Sequence, residues 1–291
     1  MYIQPDVKNL FDISGKKAVV IGGAGGIGKA IAKAFAMNGA SVVISSRKEE
    51  ALKEACEEIK AVAPDVKVLY YACDATDEQA IIAMRDFVVS EEGLGGCDIL
   101  VNSQGYNKKM FSWEINNEIW DGMIATNITS LMYTCRYFGN WMKENNLIEG
   151  MEKTDPSTFE HGKPTPCQGF GKIINIGSVR GIRVSGNGGN GNIAYNTTKG
   201  AVEMLTKTFA TDLRPNVQVN LIGPTITYTP MMVGLLPADE QTRDNLAAAK
   251  PAMRIGREDD LVGTAIYLAS RASDFVTGAS IYPDGGMTIL G

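Results

Sequence analysis

An α/β fold, built as a doubly wound parallel sheet in a single domain (1–291), is predicted by three observations. Short apolar, β-branched runs alternate with helix-patterned segments, and the first run leads straight into a glycine-rich turn and a helix. Apolar content of 44%, charged content of 21% and 32 glycines describe a globular chain with many tight turns. Domains of this class reach such a length as one unit.

Lys17 to Ile21 is the first strand, a short apolar run of the kind buried on both faces. Ile27 to Asn38 follows, with apolar residues three and four apart, as a helix. Further strands are expected at Val42 to Ser45, Val66 to Ala72, Ile99 to Val101, Lys172 to Ile176 and Val217 to Ile222. The intervening helices are Glu49 to Ala63, Asp77 to Glu91, a long one over Trp113 to Glu144, and Ala194 to Leu213. Strand–helix alternation of this regularity favours parallel pairing with helices on both faces. Residues 146–170 break the rhythm with Pro156, Pro164, Pro166 and many polar residues, and read as an inserted surface loop between a helix and a strand. Such a connection lies at the amino ends of the strands, whereas ligands of open α/β sheets bind outside the carboxyl ends, so the insert is expected to be peripheral.

Several function classes are excluded. A net charge of −5 without a basic stripe argues against nucleic acid. No apolar run is long enough to span a bilayer, and Met1 to Lys17 has neither a basic nor an apolar leader pattern, so no membrane association and a cytoplasmic location are expected. The five cysteines are scattered without a C-x-x-C pair, which suggests free thiols and no metal site. His161 is the only histidine and lies in a polar segment, so a Ser-His-Asp hydrolase is not expected.

The glycine run Gly22-Gly23-Ala24-Gly25-Gly26-Ile27-Gly28 sits between strand and helix, where backbone amides at a helix N-terminus can receive a pyrophosphate. It fits two registers, from Gly22 and from Gly23. About twenty residues on, a carboxylate would hold the ribose hydroxyl of NAD, but the second strand ends in Ser45-Ser46-Arg47-Lys48. Arg47, with Ser46, suits a 2′-phosphate instead, so NADP(H) is the expected cofactor.

Tyr195-Asn196-Thr197-Thr198-Lys199 opens a helical pattern that places the phenol and the ammonium on one face. A tyrosine titrates near 10, and a nearby cation lowers that value, which makes the phenol usable as an acid/base. Taken with the glycine run and with Ser178 at the end of Ile173-Ile174-Asn175-Ile176-Gly177-Ser178, this pair resembles the short-chain dehydrogenase/reductase family. The likeness runs from about Leu10 to Gly286 outside the insert, and includes Asp74, Asn102-Ser103-Gln104-Gly105, Asn127 and Asp284-Gly285-Gly286. It implies a Rossmann-type fold, a tendency to homotetramers, and Asn127, Ser178, Tyr195 and Lys199 as the catalytic set. Ser178 would bind the substrate oxygen, Tyr195 would exchange its proton, Lys199 would lower the tyrosine pKa and grip the nicotinamide ribose, and Asn127 would hold a water. The cofactor contacts it implies are Gly22, Gly25, Gly26, Ile27, Gly28, Asp74, Ala75, Asn102, Gly105, Tyr195, Lys199, Pro224, Thr227 and Thr229. Ile21, Gln104 and Thr225 depart from the family pattern, as does the Gly/Asn-rich stretch Gly186 to Asn192.

For the substrate, Lys108, Lys109, Arg180 and Arg183 follow the fourth and fifth strands and could form a cationic rim for a carboxylate or phosphate. The segment from Lys250 to Leu261 and on to Gly286, with Asn107-Lys108-Lys109, is similar to the gluconate 5-dehydrogenase group of the family. Ketone and secondary-alcohol interconversion on a sugar acid, of the 5-keto-gluconate type, is therefore the expectation. A 3-oxoacyl-carrier-protein reductase, a hydroxysteroid dehydrogenase and a non-catalytic NADP(H)-binding regulator are the alternatives.

Overall fold

The fold is organised around a strand in the middle of the sheet, β1 (Lys17–Ile21), from which the chain winds first one way and then the other. Outward in one direction it runs through α1 (Gly26–Met37), β2 (Ser41–Ser46), α2 (Glu49–Val62) and β3 (Val68–Ala72). Then α3 (Glu78–Val89) carries it back to β4 (Ile99–Asn102), which pairs with the other side of β1. The sequence continues through α4 (Asn117–Ile124), α5 (Ser130–Asn145), β5 (Gly171–Ile176), α6 (Ile193–Asp212) and β6 (Val217–Ile222). Last come β7 (Thr227–Tyr228), α7 (Glu240–Ala248), β8 (Gly256–Arg257), α8 (Asp259–Ala269) and β9 (Ser280–Ile281). These elements come from a computed structural model that describes residues 7–146, 170–184, 191–229, 232 and 240–290.

The main sheet has the order β3-β2-β1-β4-β5-β6-β9, with every pair parallel, and β7 and β8 form a separate small ladder. The strand order reverses between β1 and β4, which opens a crevice at their carboxyl ends. Strand alternation divides the core into two layers. Ala18 and Val20 pack with Phe35 of α1, Leu52 of α2 and Leu261 of α8, whereas Val19 and Ile21 pack with Met84 of α3, Phe138 of α5 and Val202 of α6. The expected strands are all present and in the parallel arrangement.

Several elements differ from the sequence expectation, which ended at Val217 to Ile222 and so did not include β7, β8 or α8. The long helix over 113–144 is two helices, because a π-turn at Ala125–Thr129 separates α4 from α5 and places Asn127 at the bend. α7 has no buried residue, and so no apolar stripe that periodicity could reveal. β9 has two residues, too few to show alternation. Residues 147–169 of the expected insert (146–170), with His161 and Cys167, and residues 185–190 of the Gly/Asn-rich stretch lie outside the described residues. Among the described residues, no helix is long and apolar enough to cross a membrane.

A buried polar ladder ties the sheet to its helices just below the crevice. Asn102 of β4 donates to Asn175 Oδ1 of the neighbouring β5 at 2.9 Å and accepts from Thr134 of α5 at 2.7 Å, while Asn175 donates to Thr206 of α6 at 3.0 Å. Such satisfied networks fix the relative position of the elements that carry a site.

Candidate active site

A cleft of about 720 Å³ opens at the carboxyl ends of the strands, large enough for a dinucleotide and a small molecule beside it. Gly22, Gly25, Gly26, Ile27, Ser46, Arg47, Asp74, Ala75, Gly105, Ser178, Tyr195, Lys199, Pro224, Thr227 and Thr229 line it, together with Lys109 and Arg180. Gly28, Asn102, Asn127, Lys108 and Arg183 do not. Asn102 is corrected to an interior residue, since its carboxamide is used up by Asn175, Thr134 and Cys135. Lys108 is exposed and Arg183 donates Nη1 to the Met287 carbonyl, so of the four expected cations only Lys109 and Arg180 line the cleft itself.

The glycine turn has backbone features that only glycine supplies. Gly22 has φ +78°, and a Cβ there would meet the Gln104 backbone nitrogen at 2.8 Å. Gly28 sits behind the turn and off the cleft wall, where a Cβ would lie 2.3 Å from the Gly22 carbonyl oxygen, so close packing alone requires glycine there. Helix α1 starts at the cleft with no side-chain cap and no acidic residue in its first turn. Its orphan amides and positive dipole end therefore face a space that fits a pyrophosphate. In contrast, Asp77 caps α3 through the amides of Gln79 and Ala80.

At the end of β2, Ser46 and the exposed Arg47 line the cleft opposite Asp74. Burial raises the Asp74 pKa, but two hydrogen bonds from Thr76 and the Arg47 charge outweigh it and hold the carboxyl below its ordinary value. A carboxylate and a guanidinium at this rim fit the adenosine half of a dinucleotide.

The four residues expected to be catalytic come from three elements. Ser178, 7% exposed, follows β5 and accepts the Arg180 backbone N–H at 3.1 Å. Tyr195 and Lys199 project from the first turns of α6. Burial pushes the Tyr195 pKa up, while Ser178 hydrogen bonding and the Arg180 charge pull in the opposite direction without overcoming it. Lys199 is 4% exposed, and burial lowers its pKa to about 8. Its Nζ donates to the Ile176 carbonyl at 2.8 Å and lies 5.7 Å from the Tyr195 ring centroid. The Arg180 charge opposes the rise of the Tyr195 pKa, the part that the family resemblance gives to Lys199. Asn127 uses its carboxamide on the Tyr106 backbone and on Thr198, which anchors the loop after β4 to α6. A backbone bridge from Met110 to Asn192, with the Met110 N–H bonded to Gly191, ties the same loop to the segment before Tyr195.

The cleft that Tyr195 lines also carries buried polar atoms with no partner among the described residues: Asn107 Oδ1, Asn192 Oδ1, Arg180 Nη1 and Gln104 Oε1. Ser130 gives its hydroxyl hydrogen to the Thr126 carbonyl at 2.6 Å, so its oxygen accepts from Gln104 Nε2 at 3.1 Å. That fixes the orientation of the Gln104 amide, with its oxygen left over. Tyr106, and Thr242 and Leu246 of α7, are lining residues that sequence reasoning did not single out, and Asn107 and Asn192 entered it only as members of longer stretches. The asparagine-rich composition of the loop before α6 was the one available signal.

Comparison with known proteins agrees with this geometry. A family model described as short chain dehydrogenase matches residues 16–148, and one described as Enoyl-(Acyl carrier protein) reductase matches residues 157–288. Gluconate 5-dehydrogenase of Gluconobacter oxydans is 35% identical over 283 residues, covering 97% of this chain and 98% of its own. Sorbose reductase of Schizosaccharomyces pombe is 31% identical, covering 96% and 98%. A crystal structure of a gluconate 5-dehydrogenase from Burkholderia cenocepacia, in complex with NADP and tartrate, superposes with a TM-score of 0.82 at 28% identity, covering 97% of this chain and 99% of that one.

Proposed function

The chain belongs to the short-chain dehydrogenase family of oxidoreductases acting on CH–OH groups, and within it we propose an NADP(H)-dependent enzyme that interconverts a ketone and a secondary alcohol on a polyhydroxy acid of the 5-keto-gluconate type. The observation that carries the substrate class is the set of unpartnered buried atoms in the cleft that Tyr195 lines. Each costs about 1–3 kcal/mol if it stays unpaired. The hydroxyls and carboxylate of a sugar acid would satisfy them, whereas an acyl chain or a steroid ring system would bury them against hydrocarbon. The same direction is favoured by the relatives named above, one with gluconate and one with sorbose in its name, and by the tartrate in the related crystal structure.

For the cofactor, Arg47 and Ser46 stand where a 2′-phosphate would lie, and the NADP of the related structure agrees. The uncapped turn before α1 would hold the pyrophosphate, Asp74 and Ala75 the adenine end, and Lys199, Pro224, Thr227 and Thr229 the nicotinamide half. Bound NADPH supplies the hydride. Ser178 hydrogen-bonds the substrate oxygen, and Tyr195 donates a proton to that oxygen. The raised pKa of Tyr195 keeps the phenol protonated at neutral pH, which is the state that reduction requires. Oxidation reverses the transfer and needs the phenolate.

The test is NADPH oxidation by the purified protein with 5-keto-gluconate, an acetoacetyl thioester and a 3-ketosteroid, with NADH in parallel. Turnover of the keto acid alone, faster with NADPH, is the expected result. Turnover of the thioester or the steroid in its place would move the enzyme to one of those classes, and cofactor binding with silence on all three would favour a regulator.

A further inference from the structure

A sugar acid differs from a neutral sugar by one charged group, so one residue of the cleft has to recognise that charge. Of the cations near the substrate end, Lys108 is off the wall, Arg183 is committed to the Met287 carbonyl, and Lys109 is exposed to solvent. Arg180 alone combines three properties. It lines the cleft, its Nη1 is buried with no partner among the described residues, and its backbone N–H is locked on Ser178 Oγ at 3.1 Å. That bond fixes the Arg180 backbone beside Ser178, on the cleft that Tyr195 also lines. We propose that Arg180 is the specificity-determining residue of the cleft, whose buried Nη1 receives the carboxylate of an acid substrate while Ser178 and Tyr195 hold its carbonyl oxygen. The proposal rests on the polyhydroxy-acid reading of the same cleft.

A desolvated N–H of a guanidinium is costly when unpaired, and a carboxylate is the acceptor that repays it best, through charge-assisted hydrogen bonds. Burial disfavours the charged form of Arg180 and lowers its pKa, a cost that a bound carboxylate would offset. A second consequence follows from its nearness to the phenol. The titratable groups that share the cleft wall with Tyr195 are Arg180 from the turn after β5, Lys199 from α6, and Tyr106 and Lys109 from the loop after β4, while Arg183, off that wall, acts on the Arg180 charge. Asp74, the one carboxylate on the cleft wall among the described residues, lies at the adenine end. The Arg180 charge makes it easier for Tyr195 to lose its proton. A substrate carboxylate on Arg180 cancels part of that charge, so Tyr195 keeps its proton to higher pH with an acid substrate than with a neutral one. An acid substrate thereby favours its own reduction.

The experiment compares 5-keto-gluconate with sorbose, its uncharged counterpart in which a hydroxymethyl group replaces the carboxylate. Wild type, Arg180→Gln and Arg180→Lys are measured, and gluconate binding to each protein with NADP+ is followed by calorimetry. In Arg180→Gln the preference for the keto acid, as a ratio of kcat/KM values, should fall about 10- to 100-fold, as expected for one charge-assisted contact. Gluconate binding should weaken by a similar factor. The alkaline limb of kcat for sorbose should move to higher pH, because the cation is gone. Arg180→Lys keeps the charge but not the fork, so it should weaken gluconate binding and leave that limb in place. An unchanged substrate ratio and unchanged gluconate binding in a folded Arg180→Gln protein would overturn the assignment while leaving the sugar-acid reading intact. Failure of the wild type to bind gluconate or turn over the keto acid would remove both.

Discussion

The carboxamide of Asn127 holds both backbone polar groups of Tyr106: Oδ1 accepts the Tyr106 N–H at 2.7 Å, and Nδ2 donates to the Tyr106 carbonyl at 2.9 Å. Nδ2 also donates to Thr198 Oγ1 at 3.0 Å, one residue before Lys199. The π-turn that interrupts the helix is what lets Asn127 reach both the loop after β4 and helix α6. Asn127→Asp keeps the shape but removes the donor, so a carboxylate would face a buried carbonyl. The expected result is a loss of about 2–3 kcal/mol in denaturant unfolding together with lower turnover. Unchanged stability would show that the anchor carries no weight.

Tyr195→Phe removes a proton donor and little volume. NADPH binding, followed by fluorescence titration, should stay within about threefold, while kcat falls by about 10²–10⁴. Turnover near the wild-type rate would falsify the assignment of Tyr195 as the acid.

Arg47→Ala tests the cofactor assignment. Arg47 is exposed, so its contact with a 2′-phosphate is partly screened and about a tenfold weaker NADPH affinity is expected. NADH affinity should be nearly unchanged, and an equal loss for both cofactors would remove the 2′-phosphate role.

Gly28→Ala would drive a methyl group to 2.3 Å from the Gly22 carbonyl oxygen. Both are backbone-fixed, so the turn must shift. A cost of about 1–3 kcal/mol in stability and at least a tenfold loss of cofactor affinity are expected. A crystal structure of the variant with the turn in place would contradict the packing argument.

Lys199 gives a pH signature. Its folded pKa of about 8 lies below the unfolded value of 10.5, so between those two values the unfolded chain keeps a proton that the folded chain has lost. Stability from this group therefore rises with pH across that window, by up to about 1.4 kcal/mol per pH unit, and the burial cost is fully present below pH 8. Lys199→Met removes the cost, although it also leaves the Ile176 carbonyl without its donor. At pH 7 the variant should be more stable by about 1–2 kcal/mol and catalytically impaired, with the gain disappearing as the pH approaches 10. A gain that does not change with pH would place its origin elsewhere.

The sheet and the cofactor turn were legible in the sequence because both are local patterns. Runs such as Val217 to Ile222 are apolar throughout because the strand is buried on both faces, and Gly22 and Gly28 are glycine because the backbone passes too close for a Cβ. The pairing of Tyr195 with Lys199 was legible because one helical turn separates them. What only the tertiary structure decided is which distant groups share a wall. Lys108, Lys109, Arg180 and Arg183 look alike in sequence, yet one is off the cleft, one is solvated on its rim, one is spent on the Met287 carbonyl, and Arg180 is half-buried on the cleft wall with an Nη1 that has no partner among the described residues. The direction and burial of a long side chain depend on contacts with elements far along the chain. No local period encodes them, and at Arg180 and Asn127 it is the packing of separate elements, and not the sequence pattern, that decides where the side chain lies.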